Sequence, residues 1–373
     1  MKFFDHQTTL DLIRPQIDKR IKKIIDEGQF IQGEELRLFE DQLASFCNVI
    51  HCIGTSNGTD ALLVSLMALG ISPGDEVITP AFSYIAASEA CRLLKATLVF
   101  IDVEPDTYNI DPSLLPSLIT NKTKAIIAID LFGQPANYAA IREAIAGKNI
   151  TIIEDAAQSM GAKQLSQRAG SLADIATTSF FPTKPLAGFG DGGAILTNDA
   201  EVAQVARQIT QHGQSQKYIH SRVGLNARLD TIQAGVLLEK MVVFEKTILQ
   251  RQQAAQVYNQ LIKENLYKWQ IVPAFIQENN ESVYAQYTIQ VPNRDELAAS
   301  LAKLNIPTAV YYPQPIYKQW KNKTNFSLPI TEKLCNSVLS LPFYPGIPKI
   351  DQVKVIESLA LILANPKIFP SPS

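Results

Sequence analysis

Covalent chemistry is suggested first by Lys184, which stands between Pro182 and Pro185 in an otherwise apolar and aromatic stretch. Partial desolvation lowers the pKa of a lysine and makes its amine nucleophilic, as Schiff-base chemistry requires. The alternative is a surface lysine whose stem packs along Phe180 or Phe181 while its ammonium group stays in water. The residue types around Lys184 leave both interpretations open.

Two acids, Glu154 and Asp155, directly follow the apolar run 150–153. Such a run is typical of a parallel strand buried on both faces, and ligands of open α/β sheets bind at the carboxyl ends of these strands. One of the two acids could hold the protonated ring nitrogen of a pyridine cofactor. The alternative is structural, with Asp155 capping the helix that follows.

A phosphate site is indicated at residues 57–60, Asn-Gly-Thr-Asp, which precede a helical stretch at 61–69. Small residues at the start of a helix expose free backbone N–H groups at the positive end of the helix dipole, where phosphate binds. The alternative is an ordinary helix cap supplied by Asn57 or Thr59.

The glycine-rich segment 188–193 matches the letters of the dinucleotide fingerprint G-x-G-x-x-G. That fingerprint needs a strand before it, a helix after it and an acid about 20 residues further on. Here two prolines precede it, a strand-like segment at 194–197 follows, and no acid lies between Val202 and Lys217. We therefore reject NAD binding and expect these glycines to let the backbone pack closely around the lysine loop.

The order of these features along the chain is informative. A phosphate nest, then an acid for a ring nitrogen, then a lysine is the order expected of a pyridoxal 5'-phosphate (PLP) enzyme. The sequence also resembles the DegT/DnrJ/EryC1/StrS sugar aminotransferases from about Phe30 to Leu341. The resemblance is carried by GISPGDEVITP (70–80), IIEDAAQSMGA (152–162), TSFFPTKPLAGFGDGGAI (178–195), QHGQSQKYIH (211–220) and GLNARLDTIQAG (224–235).

The resemblance implies a role for each matching residue. Lys184 would form the Schiff base and move the proton, and Asp155 would pair with the pyridinium nitrogen. Gln158 would lie against the ring hydroxyl, and Tyr84 would stack on the ring face. The phosphate would be held by Gly58, Thr59 and Ser179, and by Asn226 from the other subunit of a dimer. Arg228 would lie near the substrate in that shared site.

Within the family, the segments 280–288 and 306–315 are most similar to enzymes that aminate the 3-keto group of UDP-2-acetamido-2-deoxy-3-oxo-glucuronate. The resemblance implies that Tyr311 and Tyr312, together with Arg228, bind the substrate. One position departs from the pattern, because Tyr311 stands where a histidine is expected before Tyr312-Pro313. If that histidine helps to hold the carboxylate of the sugar, its loss favours a substrate that is not an acid.

The resemblance implies a homodimer with shared active sites that transfers an amino group from glutamate to a UDP-linked 3-keto sugar, for lipopolysaccharide O-antigen or surface polysaccharide synthesis. One alternative is a 3- or 4-aminotransferase for a non-acid UDP- or dTDP-keto sugar. Others are a sugar dehydratase, which has histidine in place of the lysine, and a non-catalytic regulator with the PLP fold. The presence of Lys184 and Asp155 argues against these two. A cofactor-free α/β binding protein also remains open.

The composition is that of a globular protein, with 373 residues, 46% hydrophobic and 19% charged. A net charge of -2 gives no basic excess for nucleic acid. No long uncharged apolar run indicates a membrane span, and the first ten residues do not resemble a signal peptide, so we expect a cytoplasmic protein. The four cysteines and four histidines show no metal-ligand spacing, so no metal is predicted.

Alternating helical and strand-like segments in the first two thirds predict a large α/β domain, with a parallel arrangement at 97–101, 125–129 and 150–153. The segment 228–264 is predicted as one long helix or two abutting helices. Beyond Pro273 we predict strands at 283–291, 308–312 and 337–341 and helices near 295–304 and 350–364. With the resemblance, this gives PLP-dependent transferase fold type I, the aspartate-aminotransferase fold. The predicted division is a large mixed-sheet domain, 1–250, and a small C-terminal α+β domain, 251–373.

Overall fold

The computed structural model describes residues 1–269, 271–320 and 327–365. Its helices are α1 (Gln7–Glu27), α2 (Glu34–Cys47), α3 (Gly58–Ala68), α4 (Ala86–Leu93), α5 (Leu115–Leu118), α6 (Tyr138–Ala144), α7 (Ala200–Ile209), α8 (Thr231–Val242), α9 (Phe244–Asn265), α10 (Arg294–Lys303), α11 (Ile316–Gln319), α12 (Pro329–Ser337) and α13 (Lys349–Leu363). Among these residues, no helix is both long and apolar enough to cross a bilayer.

The strands are β1 (His51–Thr55), β2 (Glu76–Pro80), β3 (Thr97–Ile101), β4 (Thr123–Ile129), β5 (Thr151–Asp155), β6 (Lys163–Gln164), β7 (Gln167–Arg168), β8 (Ile175–Ser179), β9 (Gly193–Thr197), β10 (Gln214–Gln216), β11 (Ile219–His220), β12 (Val272–Pro273), β13 (Asn280–Glu281), β14 (Tyr287–Gln290) and β15 (Val338–Leu341). The parallel strands predicted at 97–101, 125–129 and 150–153 are confirmed by β3, β4 and β5. The last of these continues through the two acids.

A seven-stranded mixed sheet forms the centre of the molecule, in the order β1-β9-β8-β5-β4-β2-β3. The five strands from β8 to β3 run parallel, whereas β9 is antiparallel to both of its neighbours. Residues 125–129 of β4 are all buried, as the continuous apolar run predicts for a strand covered on both faces. Because β5 lies in the middle of the sheet, its carboxyl end opens where ligands of such folds bind.

Helix α3 packs on this sheet against β8 and β9, and against its neighbours α4 and α7. Its residues 61–66 are all buried, because the helix is covered by the sheet on one side and by the two helices on the other. This packing determines where the N-terminus of α3 lies, next to the end of β8.

The predicted helical segment 228–264 is two abutting helices, α8 and α9, which meet at Val243. The early residues of α9, Phe244 and Ile248, belong to the core of the large sheet. Its later residues, Tyr258 and Ile262, belong to a second core that contains β14, β15 and α13. The change of partner along α9 supports a domain division near residue 250, which stays a prediction.

The C-terminal part contains a three-stranded antiparallel sheet, β12-β14-β15, packed with α9, α10 and α13. The helices predicted near 295–304 and 350–364 are confirmed by α10 and α13, and the strand at 337–341 by β15. The strand predicted at 283–291 is shorter, since β14 covers only Tyr287–Gln290.

The strand predicted at 308–312 is wrong. Only Ala309 forms a bridge, with Ser340, before the chain turns towards the large domain. Pro313 and Pro315 follow within a few residues, and proline cannot donate to a ladder. Tyr311 and Tyr312, at the end of this segment, instead pack against a hydrophobic cluster of the large domain.

Candidate active site

The first turn of α3 lies directly against the end of β8. Asn57 caps the helix, its Oδ1 accepting a hydrogen bond of 2.7 Å from the N–H of Asp60. A Cβ at Gly58 would lie 2.8 Å from the Cβ of Ser179, so the close approach requires glycine. The helix N-terminus and the Ser179 hydroxyl therefore converge, which is a suitable arrangement for phosphate oxygens.

The two acids at the end of β5 have different environments, because successive residues of a strand point to opposite faces. Glu154 is fully buried and accepts hydrogen bonds from the N–H groups of Gly170, at 2.7 Å, and Leu172, at 2.9 Å. Asp155 accepts one hydrogen bond of 3.0 Å, from the N–H of Ala157. Glu154 is therefore engaged in holding a loop, whereas Asp155 remains available to a ligand.

Lys184 lies close to Asp155. The lysine is half-buried in a turn in which its N–H donates to the carbonyl of Phe181 at 2.9 Å. Burial lowers the pKa of Lys184, and the Asp155 carboxylate opposes that shift. Burial likewise raises the pKa of Asp155, against the effects of the Ala157 N–H and the Lys184 ammonium. The pair combines an amine that loses its proton more easily than usual with a nearby carboxyl group.

The glycine segment that follows the lysine loop serves close packing, as predicted. Gly188 donates its N–H to the carbonyl of Phe180 at 2.7 Å. A Cβ at Gly193 would lie 2.6 Å from the carbonyl oxygen of Asn57 and 2.7 Å from that of Thr178. The strand β9 begins at Gly193, so no helix follows the glycines and the dinucleotide fingerprint is excluded.

Three further predicted residues, Gln158, Tyr312 and Tyr84, lie along one wall of this site. Gln158 Oε1 accepts a hydrogen bond of 2.8 Å from the N–H of Phe132, and its Nε2 lies 3.4 Å from the Tyr312 hydroxyl. The ring of Tyr84 lies 6.3 Å from that of Tyr312, and Tyr84 is 59% exposed. A large, accessible aromatic side chain at this position is free to stack on a planar ligand.

A buried acid that the sequence analysis missed supports this wall. Asp130 follows β4 and is completely buried. Its carboxylate accepts hydrogen bonds from the Ser159 hydroxyl, at 2.6 Å, the Tyr138 hydroxyl, at 2.8 Å, and the N–H of Ala136. Because Ser159 follows Gln158, Asp130 holds the turn that carries the glutamine. The signal was available, since Asp130 also ends an apolar run at the carboxyl edge of the sheet.

Asn226 and Arg228 form no side-chain hydrogen bond or ion pair with any described residue of their own chain. Asn226 is exposed, and the Arg228 Nε is buried without a hydrogen-bond partner in residues 1–269, 271–320 and 327–365. Between them, the carbonyl of Ala227 accepts a hydrogen bond from the N–H of Ser56, just before α3. The structure thus places this segment beside the phosphate-binding turn but leaves both side chains free for a ligand or a second subunit.

Tyr311 is half-buried beside Tyr312, with ring centroids 5.8 Å apart, and burial raises the pKa of its hydroxyl. A neutral phenol at this position can donate a hydrogen bond to a sugar hydroxyl or a carboxylate, but it supplies no positive charge.

The residues present fit PLP. The glycine-lined helix start accommodates a phosphate, Asp155 suits a protonated ring nitrogen, and the Lys184 amine suits a covalent bond to a carbonyl carbon. A seven-stranded mixed sheet with these groups at its carboxyl edge, followed by a small α+β unit, is the fold type I architecture of PLP-dependent enzymes.

Within that class, the chain belongs to the DegT/DnrJ/EryC1/StrS aminotransferase family, whose family model matches residues 11–360. It is 46% identical to a UDP-2-acetamido-2-deoxy-3-oxo-D-glucuronate aminotransferase of Pseudomonas aeruginosa, over 92% of this chain and 95% of that protein. It is 39% identical to a pleiotropic regulatory protein of Geobacillus stearothermophilus, over 93% and 94%. It is also 37% identical to a UDP-N-acetyl-3-dehydro-alpha-D-glucosamine 3-aminotransferase of Acidithiobacillus ferrooxidans, over 90% of each chain.

A solved structure with a bound cofactor gives the same result. The crystal structure of NtdA from Bacillus subtilis with the cofactor PMP superposes with a TM-score of 0.88 at 30% sequence identity. The match covers 97% of this chain and 83% of that one. The expected fold is therefore confirmed, and the chain is an aminotransferase of this family.

Proposed function

We propose that this aminotransferase uses PLP to move an amino group from glutamate to the 3-keto group of a UDP-linked 2-acetamido-2-deoxy-3-oxo sugar, with the glucuronate as the preferred substrate. The observation that carries the proposal is the approach of Lys184 to Asp155 at the carboxyl edge of the sheet, beside the phosphate-binding start of α3.

When bound, PLP supplies an electron sink that stabilises negative charge developing on the substrate carbon. The chain's own groups would do the rest. Lys184 Nζ would hold the cofactor covalently and then carry a proton to and from the reacting carbon. Asp155 would keep the ring nitrogen protonated, because an ionised carboxylate stabilises that positive charge. The cofactor phosphate would be bound by the N–H groups of Gly58 and Thr59 and by Ser179, and the ring by Gln158 and Tyr84.

The proposed substrate rests on the relatives and on local sequence. The relatives at 46% and 37% identity are named for 3-amino transfer to UDP-linked sugars, one a uronic acid and the other not. Tyr311 does not decide between the two substrates, since its phenol can donate a hydrogen bond to a sugar carboxylate or to a neutral hydroxyl but supplies no positive charge. A non-acid UDP- or dTDP-keto sugar, aminated at C3 or C4, is therefore the second candidate.

A regulatory role is the alternative from another class, and one relative is named as a regulatory protein. A regulator that had lost catalysis would not need both a partly buried lysine and an acid beside it. Both are present here and influence each other's pKa, which favours the enzyme.

We further propose a homodimer with shared active sites, acting in the cytoplasm in the synthesis of lipopolysaccharide O-antigen or another surface polysaccharide. The dimer is supported by Asn226 and Arg228, whose side chains have no partner among the described residues of their own chain. In a dimer, Asn226 would reach the phosphate of the other subunit and Arg228 would reach its substrate.

The test is a substrate panel with the purified holoenzyme. A yellow protein that borohydride bleaches would establish the covalently held cofactor and exclude a cofactor-free binding protein. With glutamate as donor, we expect kcat/KM for the UDP-linked 3-oxo-glucuronate to exceed that for the neutral 3-oxo-glucosamine nucleotide at least about tenfold. This ratio corresponds to the contribution of one charge-assisted hydrogen bond to the sugar carboxylate. Equal use of the two would contradict the uronate and leave the aminotransferase assignment intact.

A further inference from the structure

A cavity of about 40 Å³ lies between the loop that carries Lys184 and the beginning of the chain. Its walls come mainly from the N-terminal segment 4–9, the loop 182–187, and the adjoining parts of α8 and α9. Of the described residues that line it, Lys184 is the one that also belongs to the proposed cofactor site.

The charged side chains of this cavity are unbalanced. Besides Lys184, it is lined by His6, Lys240 and Arg251, whereas Asp5 is the one acid among its described lining residues. The Asp5 carboxylate already forms an ion pair of 3.1 Å with Lys2. The cavity therefore has an excess of positive charge.

Neither Lys240 nor Arg251 forms an ion pair with any residue that the structure describes. The Lys240 ammonium lies 4.9 Å from the centre of the Phe189 ring and forms no hydrogen bond within the described ranges. Arg251 is only 2% exposed. It donates through Nη1 to the carbonyls of Tyr284, at 3.1 Å, and Ala285, at 3.4 Å, and its buried Nε has no hydrogen-bond partner among the described residues.

The pKa values agree with this arrangement. Burial lowers the pKa of Lys240 to about 8 and that of Arg251 to about 10. Burial also lowers the pKa of His6, and the nearby positive charges of Lys240 and Arg251 add to that shift while Asp5 opposes it. Positive charges that are withdrawn from water without a counter-charge are costly, so an anion in the cavity would stabilise them.

The size and position of the cavity indicate which anion. A water molecule needs roughly 10–15 Å³ of such a cavity, so about 40 Å³ accommodates a carboxylate group. A guanidinium group binds carboxylate oxygens particularly well. Leu186 and Phe244 supply apolar walls that could cover methylene groups between the carboxylate and a reacting carbon near Lys184.

We propose that this cavity binds the side-chain carboxylate of a dicarboxylic amino donor, with Lys240 and Arg251 as the specificity-determining residues. The proposal rests on the proposed aminotransferase function and deepens it, because it assigns the residues that would distinguish glutamate from a monocarboxylic amino acid. A donor without the second carboxylate would leave the cavity charges uncompensated.

The variant Lys240→Gln tests this, because Lys240 is half-buried and forms no hydrogen bond with the part of the chain that the structure describes, so the substitution breaks no such contact. The donor half-reaction is followed by the absorbance of the bound cofactor, with glutamate and with alanine. We expect kcat/KM for glutamate to fall at least tenfold and kcat/KM for alanine to change less than twofold. Lys240→Arg should retain the glutamate preference, and Lys246→Gln, at an exposed lysine of α9, should match the wild type.

A binding measurement gives a readout that does not depend on turnover. Calorimetry with glutarate, an unreactive dicarboxylate, should show a dissociation constant at least tenfold higher for Lys240→Gln than for the wild-type holoenzyme. An unchanged glutarate affinity, or an equal loss for glutamate and alanine, would overturn the proposal. The proposal would also fail if Lys240→Gln left the ratio of kcat/KM for glutamate to that for alanine unchanged while chloride alone stabilised the wild-type protein. That result would indicate that the cavity binds an inorganic anion. If neither amino acid alters the cofactor spectrum of the wild type, the proposed function fails, and glutarate binding still tests the cavity.

Discussion

At the scale of single residues, the first prediction concerns Lys184. Lys184 lies in a loop rather than in a core, so Lys184→Ala removes an amine without creating a large cavity. We expect transamination to fall at least about 10³-fold, within the range for a lost acid–base group, with an unchanged circular dichroism spectrum. Borohydride should no longer attach the cofactor.

The matched control is Lys122→Ala, at an exposed lysine just before β4, which should behave like the wild type. If Lys184→Ala turned over substrate at nearly the wild-type rate, another lysine would have to bind the cofactor covalently, and the assignment of the site to Lys184 would be wrong.

The neighbouring acids offer a second test, because one is engaged with the backbone and the other is not. Asp155→Asn should retain the cofactor and the melting temperature but lose at least two orders of magnitude in kcat, equivalent to roughly 3 kcal/mol. Glu154→Gln should instead lower the melting temperature and retain most of kcat. A single amide oxygen cannot serve the N–H groups of both Gly170 and Leu172 as the carboxylate does, which costs about 1–3 kcal/mol of stability.

Steady-state kinetics and thermal unfolding of the two variants separate these effects. If Glu154→Gln lost more activity than Asp155→Asn while remaining as stable as the wild type, Glu154 rather than Asp155 would be the acid that pairs with the ring nitrogen.

At the scale of elements, the phosphate site depends on how closely α3 approaches β8. Gly58→Ala would place a Cβ 2.8 Å from that of Ser179, so the helix start and the serine must move apart. Alanine is acceptable in the first turn of a helix, so the loss of stability comes from forcing the two packed elements apart and should be about 1–3 kcal/mol. The dissociation constant of PLP should rise about tenfold or more, or 1.4 kcal/mol.

Equilibrium dialysis of the refolded, cofactor-free variant measures this affinity, and Ser65→Ala, within the same helix, controls for effects on α3 alone. An unchanged affinity of Gly58→Ala for PLP would place the phosphate elsewhere.

At the scale of the whole molecule, the free side chains of Asn226 and Arg228 lead to a prediction about subunits. Lys184→Ala and Arg228→Ala chains should each be nearly inactive alone. On co-expression, half of the dimers are hybrids, and each hybrid has one site with both defects and one with neither. About a quarter of wild-type activity should therefore return if the two residues serve one site from different subunits.

Differently tagged chains, purified through both tags, show whether the hybrid forms. A confirmed hybrid without activity would assign Arg228 to the site of its own chain and withdraw the trans roles of Asn226 and Arg228.

What could be predicted from sequence is local in origin. An apolar run that ends in acids predicts a buried strand with polar groups at its ligand-binding edge, and β5 with Asp155 confirms the strand. Lys184 between two prolines, and small residues before a helical run, likewise signal their environments through immediate neighbours. The alternation of helices and strands determined the fold class for the same reason, because each element depends on contacts between residues close in sequence.

Tertiary structure decided what depends on distant partners. Glu154 and Asp155 are equivalent in sequence, and the loop at Gly170–Leu172, on one face of the sheet, distinguishes them. The 308–312 segment has strand-forming residues but lacks a paired neighbour beyond Ala309. The cavity brings together the N-terminal segment with His6, the loop 182–187, and the adjoining helices α8 and α9 with Lys240 and Arg251, which are far apart in the chain, so no local pattern could reveal it. Charge balance in a buried space is a property of packing, and only the folded chain determines it.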